Sequence, residues 1–166
     1  MAGLRLRPAG DRDLPAIAEI YGREVQEGTA SFELEPPSLE ELARRLGRVR
    51  ELRLHWLVAE MDQGIAGYAY ATLYRERQAY RHTVEDSVYL APWARGLGIG
   101  RALLEAVIAG SRAAGSHSMV AVIGDSANLG SVRLHRACGF VEVGILREVG
   151  LKFGRRLDTV LMQRPL

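Results

Sequence analysis

The sequence predicts a single-domain α/β fold, a sandwich in which helices flank a mixed β-sheet across residues 1–166. The length suits one domain, since globular domains commonly hold about 100 to 200 residues. Hydrophobic residues make up 48% of the chain and charged residues 25%, close to the averages for soluble globular proteins. Apolar residues recur with a period of two in some segments and of about 3.6 in others, so strands and helices are expected to alternate around one sheet.

The first elements are a short strand and a helix. Leu and Arg alternate over residues 4–7, as in a strand with one buried face. Asp11 or Asp13 can cap the following helix, which is expected to end at Gly28. The residues predicted to share its inward face are Leu14, Ile17, Ile20, Tyr21 and Val25.

A second helix and a hairpin follow. Ser38 opens a capping box that starts a helix running to about Arg50. Strands are predicted over 55–60 and 65–74, and Gly64 between them suits a tight turn because it tolerates a positive φ. The residues predicted to face inward on the helix are Leu39, Leu42 and Leu46.

The second half of the chain alternates strands and helices. A strand is predicted over 83–90 and a helix over 99–114, which Gly115 ends. Residues 119–123 are almost wholly apolar, so we expect a central strand covered on both faces. The remaining predicted elements are a helix over 129–137 and strands over 141–152 and 157–162.

Composition narrows the classes of function. The net charge is only +2, without a dense run of Lys and Arg, so nucleic acid is not expected as a partner. Cys138 is the single cysteine and the four histidines are scattered, so neither a disulfide scaffold nor a metal site is expected. No apolar run approaches the roughly 18 residues of a membrane span, and residues 1–8 lack the apolar core of a signal peptide. We therefore expect a cytoplasmic protein that does not contact a membrane.

A glycine-rich turn is the most informative local feature. The chain has 18 glycines, and three of them lie in Arg95-Gly96-Leu97-Gly98-Ile99-Gly100-Arg101, between a predicted strand and a predicted helix. Glycines there allow backbone N–H groups at a helix N-terminus to face a phosphate or pyrophosphate. The segment lacks the Gly-Lys-Ser/Thr of a P-loop and the spacing of a dinucleotide fingerprint. What remains is the pattern Arg95-x-x-Gly98-x-Gly100.

That pattern resembles the pyrophosphate loop of GNAT-type N-acetyltransferases. Downstream of Asn128, Ser131 at +3, His135 at +7 and Gly139-Phe140 at +11 and +12 are similar to a second segment of that superfamily. Residues 4–163 as a whole resemble the phosphinothricin and methionine sulfoximine acetyltransferase family. The stretches that carry this resemblance are 29–33, 67–70, 75–80, 83–85, 87–89, 121–124, 134–135 and 149–154.

The resemblance implies the GNAT fold, with a mostly antiparallel sheet and a splayed strand pair that binds acetyl-CoA. Backbone groups of Val88, Tyr89 and Leu90 would pair with the pantetheine amides as an added strand does. The segment Gly96, Leu97, Gly98, Ile99, Gly100 and Arg101 would hold the pyrophosphate through its N–H groups, with charge added by Arg95 and Arg101. Asn128 and Ser131 would bond the pantetheine arm, although Asn128 also suits a helix N-cap.

The resemblance implies direct transfer of the acetyl group to an amine. Glu85 would act as general base toward the acceptor amine, and its alternative is an exposed strand carboxylate. His135 would serve the departing thiolate as general acid, since an imidazole donates a proton near neutral pH; its alternative is a structural histidine. Asp86 points to the opposite strand face from Glu85 and is not a candidate base.

The acceptor would be a small amino acid analogue such as methionine sulfoximine, methionine sulfone or phosphinothricin, acetylated on its α-amino group. Arg75 and Arg77 suit its carboxylate, because a guanidinium grips a carboxylate bidentately, although a solvated Arg-rich loop is the alternative. Phe32, Tyr80 and Tyr89 would supply apolar walls. Another amine, or binding of coenzyme A without catalysis, stays open.

The family implies a homodimer, with the segment 152–154 near the subunit interface. The chain departs from the family pattern at His55, Asp86 and Arg156, where proline, histidine and tryptophan are frequent. These departures bear on the identity of the acceptor more than on the chemistry of acetyl transfer.

Overall fold

The computed structural model describes residues 3–166, and Met1 and Ala2 lie outside the described residues. The strands are β1 (Arg5–Pro8), β2 (Trp56–Met61), β3 (Gly64–Leu73), β4 (Thr83–Leu90), β5 (Ser118–Gly124), β6 (Val141–Lys152) and β7 (Arg155–Pro165). The helices are α1 (Leu14–Glu27), α2 (Leu39–Glu51), α3 (Ile99–Ala113) and α4 (Leu129–Ala137). The strands form one sheet in the order β1-β2-β3-β4-β5-β7-β6, in which only β4 and β5 are parallel neighbours. The predicted α/β fold with a mixed, mostly antiparallel sheet is therefore confirmed.

Helices pack on both faces of the sheet. The apolar stripes of α1 and α2 bury against β2 and β3, where Trp56, Val58 and Tyr68 complete the core. On the other face α3 packs on the centre of the sheet through Leu103, Leu104 and Val107, among others. Each such buried side chain contributes about 1.5 to 3 kcal/mol, so these stripes fix which face of each helix meets the sheet.

Helix α2 corrects one prediction. Leu39 was expected to face inward, but it is 50% exposed, whereas Leu42, Leu46 and Val49 are buried. Ser38 caps the helix by accepting a hydrogen bond from the Glu41 backbone N–H at 3.1 Å. Leu39 is therefore the first residue of the helix and lies beyond the packed core. It stays exposed although its spacing matches that of the buried residues.

The exposure of strand β5 corrects a second prediction. The strand was expected to be covered on both faces, but Val122 is 39% exposed while Met119, Ala121 and Ile123 are buried. The core beneath α1 and α2 takes side chains from β2, β3 and β4 and none from β5. One face of β5 is consequently left open, and the candidate site lies against it.

The closing hairpin is longer and less regular than expected. Strand β7 extends over Arg155–Pro165, beyond the predicted 157–162. The pairing of β6 with β7 shifts register between Leu146 and Gly150, where Glu148 has a φ of 54°. Asp158 holds this bulge by accepting a hydrogen bond from the Glu148 backbone N–H at 3.0 Å.

Candidate active site

The parallel strands β4 and β5 separate partway along their length. Their residues pair from Thr83 with Ser118 as far as Asp86 with Ala121, although β4 continues to Leu90 and β5 to Gly124. Beyond Asp86 the edge of β4 that faces β5 carries backbone groups with no strand beside them. This is the splayed strand pair that the sequence predicted, and an extended amide-bearing ligand can add to such an edge.

A cavity of about 760 Å³ lies over this splay. Its walls come from the open ends of β4 and β5, the turn before α3 and the start of α4. The predicted cofactor-binding residues that line it are Val88, Tyr89, Leu90, Arg95, Gly96, Gly98, Gly100, Arg101, Asn128 and Ser131.

Two predicted members of this set do not line the cavity. Leu97 is 49% exposed, and Ile99 is fully buried in the core under α3. The side chain of Ile99 is thus withdrawn from a ligand, and the role predicted for both residues uses their backbone groups.

Two glycines of the glycine-rich turn have a left-handed backbone conformation. Gly96 has a φ of +77° and Gly98 a φ of +78°, values that L-residues with side chains rarely adopt. Gly98 is the N-cap of α3, and its carbonyl accepts the hydrogen bond of the Ala102 N–H at 3.2 Å. The N–H groups of residues 99–101 precede that first helical bond and point out of the helix end, where the dipole favours an anion. This donor set fits a pyrophosphate.

The two arginines beside the turn already have acidic neighbours. Arg95 lies 3.5 Å from Glu24, and Arg101 donates a hydrogen bond to Glu105 at 2.8 Å. More than half of each arginine side chain is exposed, so these ion pairs are weak and either guanidinium can turn to a phosphate.

Asn128 caps α4. Its side-chain oxygen accepts a hydrogen bond from the Ser131 backbone N–H at 3.2 Å. The N-cap alternative is therefore realised, and because Asn128 also lines the cavity, its amide N–H₂ is free to serve a ligand as well.

Glu85 lies on β4 just before the strands separate, opposite Thr72 on β3 and Val120 on β5. Burial, helped by the nearby charge of Asp86 and opposed by Arg75, raises the pKa of Glu85 to about 7. A carboxyl with a pKa near 7 is well matched to proton abstraction at neutral pH.

Asp86, which the sequence set aside, is buried on the opposite face of β4. Its Oδ2 lies 2.9 Å from Nε2 of His135 on α4. The Nδ1 of His135 is 2.8 Å from the Ser131 carbonyl and 3.3 Å from the Ser131 hydroxyl. Both ring nitrogens of His135 thus have partners within the protein. Sequence spacing within α4 predicts the Ser131 contact, but no local signal predicts the contact with Asp86.

Of the predicted acceptor residues, Tyr89 lines this cavity, whereas Glu85, Phe32, Tyr80, Arg75 and Arg77 do not. Phe32 is 37% exposed and packs against Gly124 and Gly150, while Tyr80 is 42% exposed and meets Tyr74 edge-on at 6.0 Å. The guanidinium of Arg75 lies over the Tyr74 ring, 4.3 Å from its centre. Arg77 is exposed at the start of a short 3₁₀ turn, 78–80.

Glu24 is a further polar residue near the site, which sequence reasoning missed because it occurs in no local pattern that would single it out. It lines the cavity and accepts a hydrogen bond from the Ala30 backbone N–H at 3.2 Å. Lys152, from the segment 152–154 that was expected near a subunit interface, is 3% exposed and donates a hydrogen bond to the Ser31 carbonyl at 2.7 Å. Together they hold the segment 29–33 between α1 and α2 against the rest of the fold.

Among residues 3–166, no three His, Cys, Asp or Glu side chains are grouped so that they can hold a metal ion. Within the same part of the chain, no helix has the length and apolarity to cross a membrane.

Comparisons with known proteins agree with this geometry. Residues 15–140 match the Acetyltransferase (GNAT) family. Phosphinothricin N-acetyltransferase of Alcaligenes faecalis is 53% identical over 97% of this chain and 82% of its own length. An L-methionine sulfoximine/L-methionine sulfone acetyltransferase of Pseudomonas aeruginosa PAO1 is 40% identical over 97% of this chain and 94% of its own.

A solved structure shows the same fold with ligand bound. The crystal structure of a GNAT superfamily phosphinothricin acetyltransferase from Sinorhizobium meliloti in complex with acetyl-CoA has a TM-score of 0.95 and 46% identity. The match covers 99% of this chain and 89% of that one. The chain belongs to the GNAT acetyltransferase family. It is an N-acetyltransferase, and acetyl-CoA is its co-substrate.

Proposed function

We propose that the enzyme transfers the acetyl group of acetyl-CoA to the α-amino group of small amino acid analogues, namely methionine sulfoximine, methionine sulfone and phosphinothricin. The observation that carries this proposal is the position and pKa of Glu85. Its carboxyl has a pKa of about 7, and it lies on β4 just before that strand separates from β5. The relatives named for these acceptors match nearly the whole chain, which supports the same acceptor class here.

The co-substrate fits the cavity residues. The N–H groups at the start of α3 hold the pyrophosphate, with Arg95 and Arg101 adding positive charge. The open edge of residues 88–90 pairs with the pantetheine amides, and Asn128 and Ser131 bond the arm near its thiol. Bound acetyl-CoA supplies a thioester whose carbonyl carbon accepts the amine. The cavity of about 760 Å³ is large enough for such an elongated ligand.

Glu85 prepares the acceptor. An ammonium group cannot attack a thioester, so its proton must leave first, and Glu85 takes that proton directly or through a water molecule. Arg75, whose charge acts on Glu85, holds the acceptor carboxylate together with Arg77. Phe32 and Tyr80 bound the acceptor side chain. His135 supplies the proton that the leaving thiolate needs.

The active form is a homodimer. Edge strand β6 supports this proposal, because exposed apolar side chains lie along it and no strand covers its outer edge within the described chain. Exposed apolar side chains on an edge strand are a hazard for a monomer and suit a second copy. They are Val141, Val143, Leu146, Val149 and Leu151, with Phe153 in the following turn.

The test of the proposed reaction is release of free thiol from acetyl-CoA with a panel of acceptors. The panel holds methionine sulfoximine, methionine sulfone, phosphinothricin, ordinary amino acids, a polyamine and a lysine peptide. We expect the first three to have the highest kcat/KM and Glu85→Gln to lose about 10² to 10⁴ of it. Higher kcat/KM with another amine would overturn the acceptor assignment. Tight acetyl-CoA binding without turnover on any amine would instead indicate a binding module.

A further inference from the structure

Asp86 and His135 form a buried pair, of which the proposed reaction so far uses only His135. The Oδ2 to Nε2 distance is 2.9 Å, and the two side chains are only 1% and 5% exposed. The other carboxylate oxygen, Oδ1, is buried and has no hydrogen-bond partner within residues 3–166. A buried carboxylate needs a compensating charge, and the imidazole is the group positioned to carry it.

The second ring nitrogen of His135 also faces an acceptor. Nδ1 lies 2.8 Å from the Ser131 carbonyl, which can only accept a hydrogen bond. Nε2 faces the Asp86 carboxylate, so both ring nitrogens face acceptors and both can donate hydrogen bonds only when both carry protons. This is the imidazolium form of His135. Phe140 presents its ring edge-on to the imidazole at 5.1 Å and brings no charge. Burial lowers the pKa of His135, but the hydrogen bond and charge of Asp86, helped by Ser131, raise it above its usual value overall.

Ser131 connects this pair to the cavity. Its hydroxyl is 3.3 Å from Nδ1, and the residue is half-buried and lines the cavity. His135 and Asp86 line the cavity as well, but their side chains are only 5% and 1% exposed, so a ligand reaches the serine hydroxyl more readily than either ring nitrogen. The three side chains form a chain of decreasing exposure: Ser131 hydroxyl, His135 imidazole, Asp86 carboxylate.

We propose that this chain is a proton relay, in which Asp86 is a positioning residue that keeps His135 protonated and the Ser131 hydroxyl hands the proton to the departing thiolate. The proposal rests on the proposed function and deepens it. As the bond from the amine nitrogen to the carbonyl carbon forms and the carbon–sulfur bond breaks, the sulfur takes the Ser131 Oγ proton and Oγ takes the Nδ1 proton of His135. The neutral imidazole keeps its Nε2 proton toward Asp86. The acceptor nitrogen loses two protons: Glu85 takes the ammonium proton and releases it to water before the attack, and it takes the second proton as the amide forms. Afterwards Glu85 returns this proton to water and His135 regains one from water, so the net release is one proton and the protons balance.

The proposed relay can be tested on the protein without any ligand, through the titration of His135. In the wild type, nitrogen NMR of the ring should show both nitrogens of His135 protonated to a pH above the usual histidine range. In Asp86→Asn the pKa of His135 should fall by about one to two pH units, because the carboxylate charge is lost while burial remains. Asp13→Asn removes another buried aspartate, one paired with Arg7 far from the cavity, and should leave the His135 titration unchanged. An unchanged titration in Asp86→Asn would overturn the assignment of Asp86.

The pH dependence of turnover gives a second readout. His135 must be protonated to donate, so the wild-type kcat falls at high pH as it deprotonates. In Asp86→Asn this alkaline limb should move to lower pH. The acid limb should move the same way, because the charge of Asp86 raises the pKa of Glu85. A purely structural loss would lower kcat without moving the alkaline limb.

Ser131 is tested by three variants. Ser131→Ala should lower kcat by about 10²-fold or more, while the KM for acetyl-CoA changes by less than about threefold. Ser131→Thr keeps a hydroxyl and should recover most of the lost kcat. Ser118→Ala changes a serine that bonds Gln163 on β7, outside the cavity, and should leave kcat unchanged.

The outcomes separate this proposal from the reaction itself. A Ser131→Ala enzyme with wild-type kcat and raised KM would mean that the hydroxyl only binds the co-substrate, and the relay would be wrong. A wild type that releases no thiol with any amine would overturn the proposed function, yet the ring titration would still report on Asp86 and His135.

Discussion

The ring of Phe32 lies directly against the backbone of Gly150. A β-carbon built on Gly150 would sit 2.3 Å from the Phe32 ring, and one on Gly124 would sit 3.0 Å from it. The two glycines, one on β6 and one at the end of β5, therefore leave room for this aromatic ring beside the separated strands β4 and β5. The segment 29–33 joins the rest of the fold here, and further contacts come from Lys152 to the Ser31 carbonyl and from the Thr29 hydroxyl to Asp125 at 2.7 Å.

Gly150→Ala should displace Phe32, because a contact of 2.3 Å with a ring held among other groups cannot be relieved by a small adjustment. We expect overpacking to cost about 1 to 3 kcal/mol of folding free energy, measured by denaturant unfolding. The KM for the acceptor should rise more than the KM for acetyl-CoA. Gly144→Ala is the matched control, since it lies on the same strand with open space around its β-carbon. Equal acceptor KM values in the two variants would remove Phe32 from the acceptor site.

Glu85→Gln should make the protein more stable at alkaline pH while making it less active. The folded-state pKa of Glu85 is raised to about 7, from an ordinary value near 4.5, so the native state retains a proton that the unfolded chain has lost. Wild-type stability therefore falls as pH rises through this window and is level above it. The glutamine variant escapes that loss and should gain about 1 to 3 kcal/mol at pH 8, and close to nothing at pH 4.

Thermal or urea unfolding at both pH values checks this expectation. Glu27→Gln removes an exposed carboxylate that pairs with Arg23 and serves as control, with little change expected at either pH. A Glu85→Gln enzyme that is equally stabilised at pH 4 and pH 8 would contradict a raised pKa as the cause.

Gly98→Ala should weaken acetyl-CoA binding. Its φ of +78° is costly for alanine, by roughly 1 kcal/mol or more, so the turn must shift and the N–H groups at the start of α3 lose their alignment. We expect about a tenfold rise in the KM for acetyl-CoA, which corresponds to about 1.4 kcal/mol. Gly115→Ala carries the same kind of strain at the end of α3, with a φ of +89°, and should lower stability without changing that KM. Similar KM effects in both would point to general loosening of α3.

Charges placed among the exposed apolar side chains of β6 should break the proposed homodimer. Val149 is 56% and Leu151 69% exposed, so Val149→Lys with Leu151→Lys leaves the isolated subunit intact and repels a second copy. Sedimentation at micromolar concentration should show a dimer for the wild type and a monomer for the double variant. Leu34→Lys changes an apolar residue that is 70% exposed in the loop after α1, and should leave the dimer unchanged. A monomeric wild type would refute the dimer.

Elements that local signals define were predicted well from the sequence. The helix Leu129–Ala137 and the strand Thr83–Leu90 have the predicted bounds, because a cap, a glycine or a proline marks their ends. Burial was predicted less well. Leu39 has the right spacing but lies at the first position of its helix, and Val122 belongs to an apolar strand whose second face no helix covers. Periodicity shows which residues share a face but not what packs against that face.

The sequence by itself determined which residues line the cavity proposed for the co-substrate. A turn of glycines before a helix and a cap three residues before Ser131 are local features, and both line this cavity. The role proposed for the turn uses backbone groups, so spacing along the chain was enough to predict it. The tertiary structure decided what surrounds the chemistry. Asp86 meets His135 across 49 residues of chain, and Glu85 has a pKa near 7 only because the folded sheet buries it beside another carboxylate. Desolvation and long-range pairing depend on which elements pack together, which no single segment specifies.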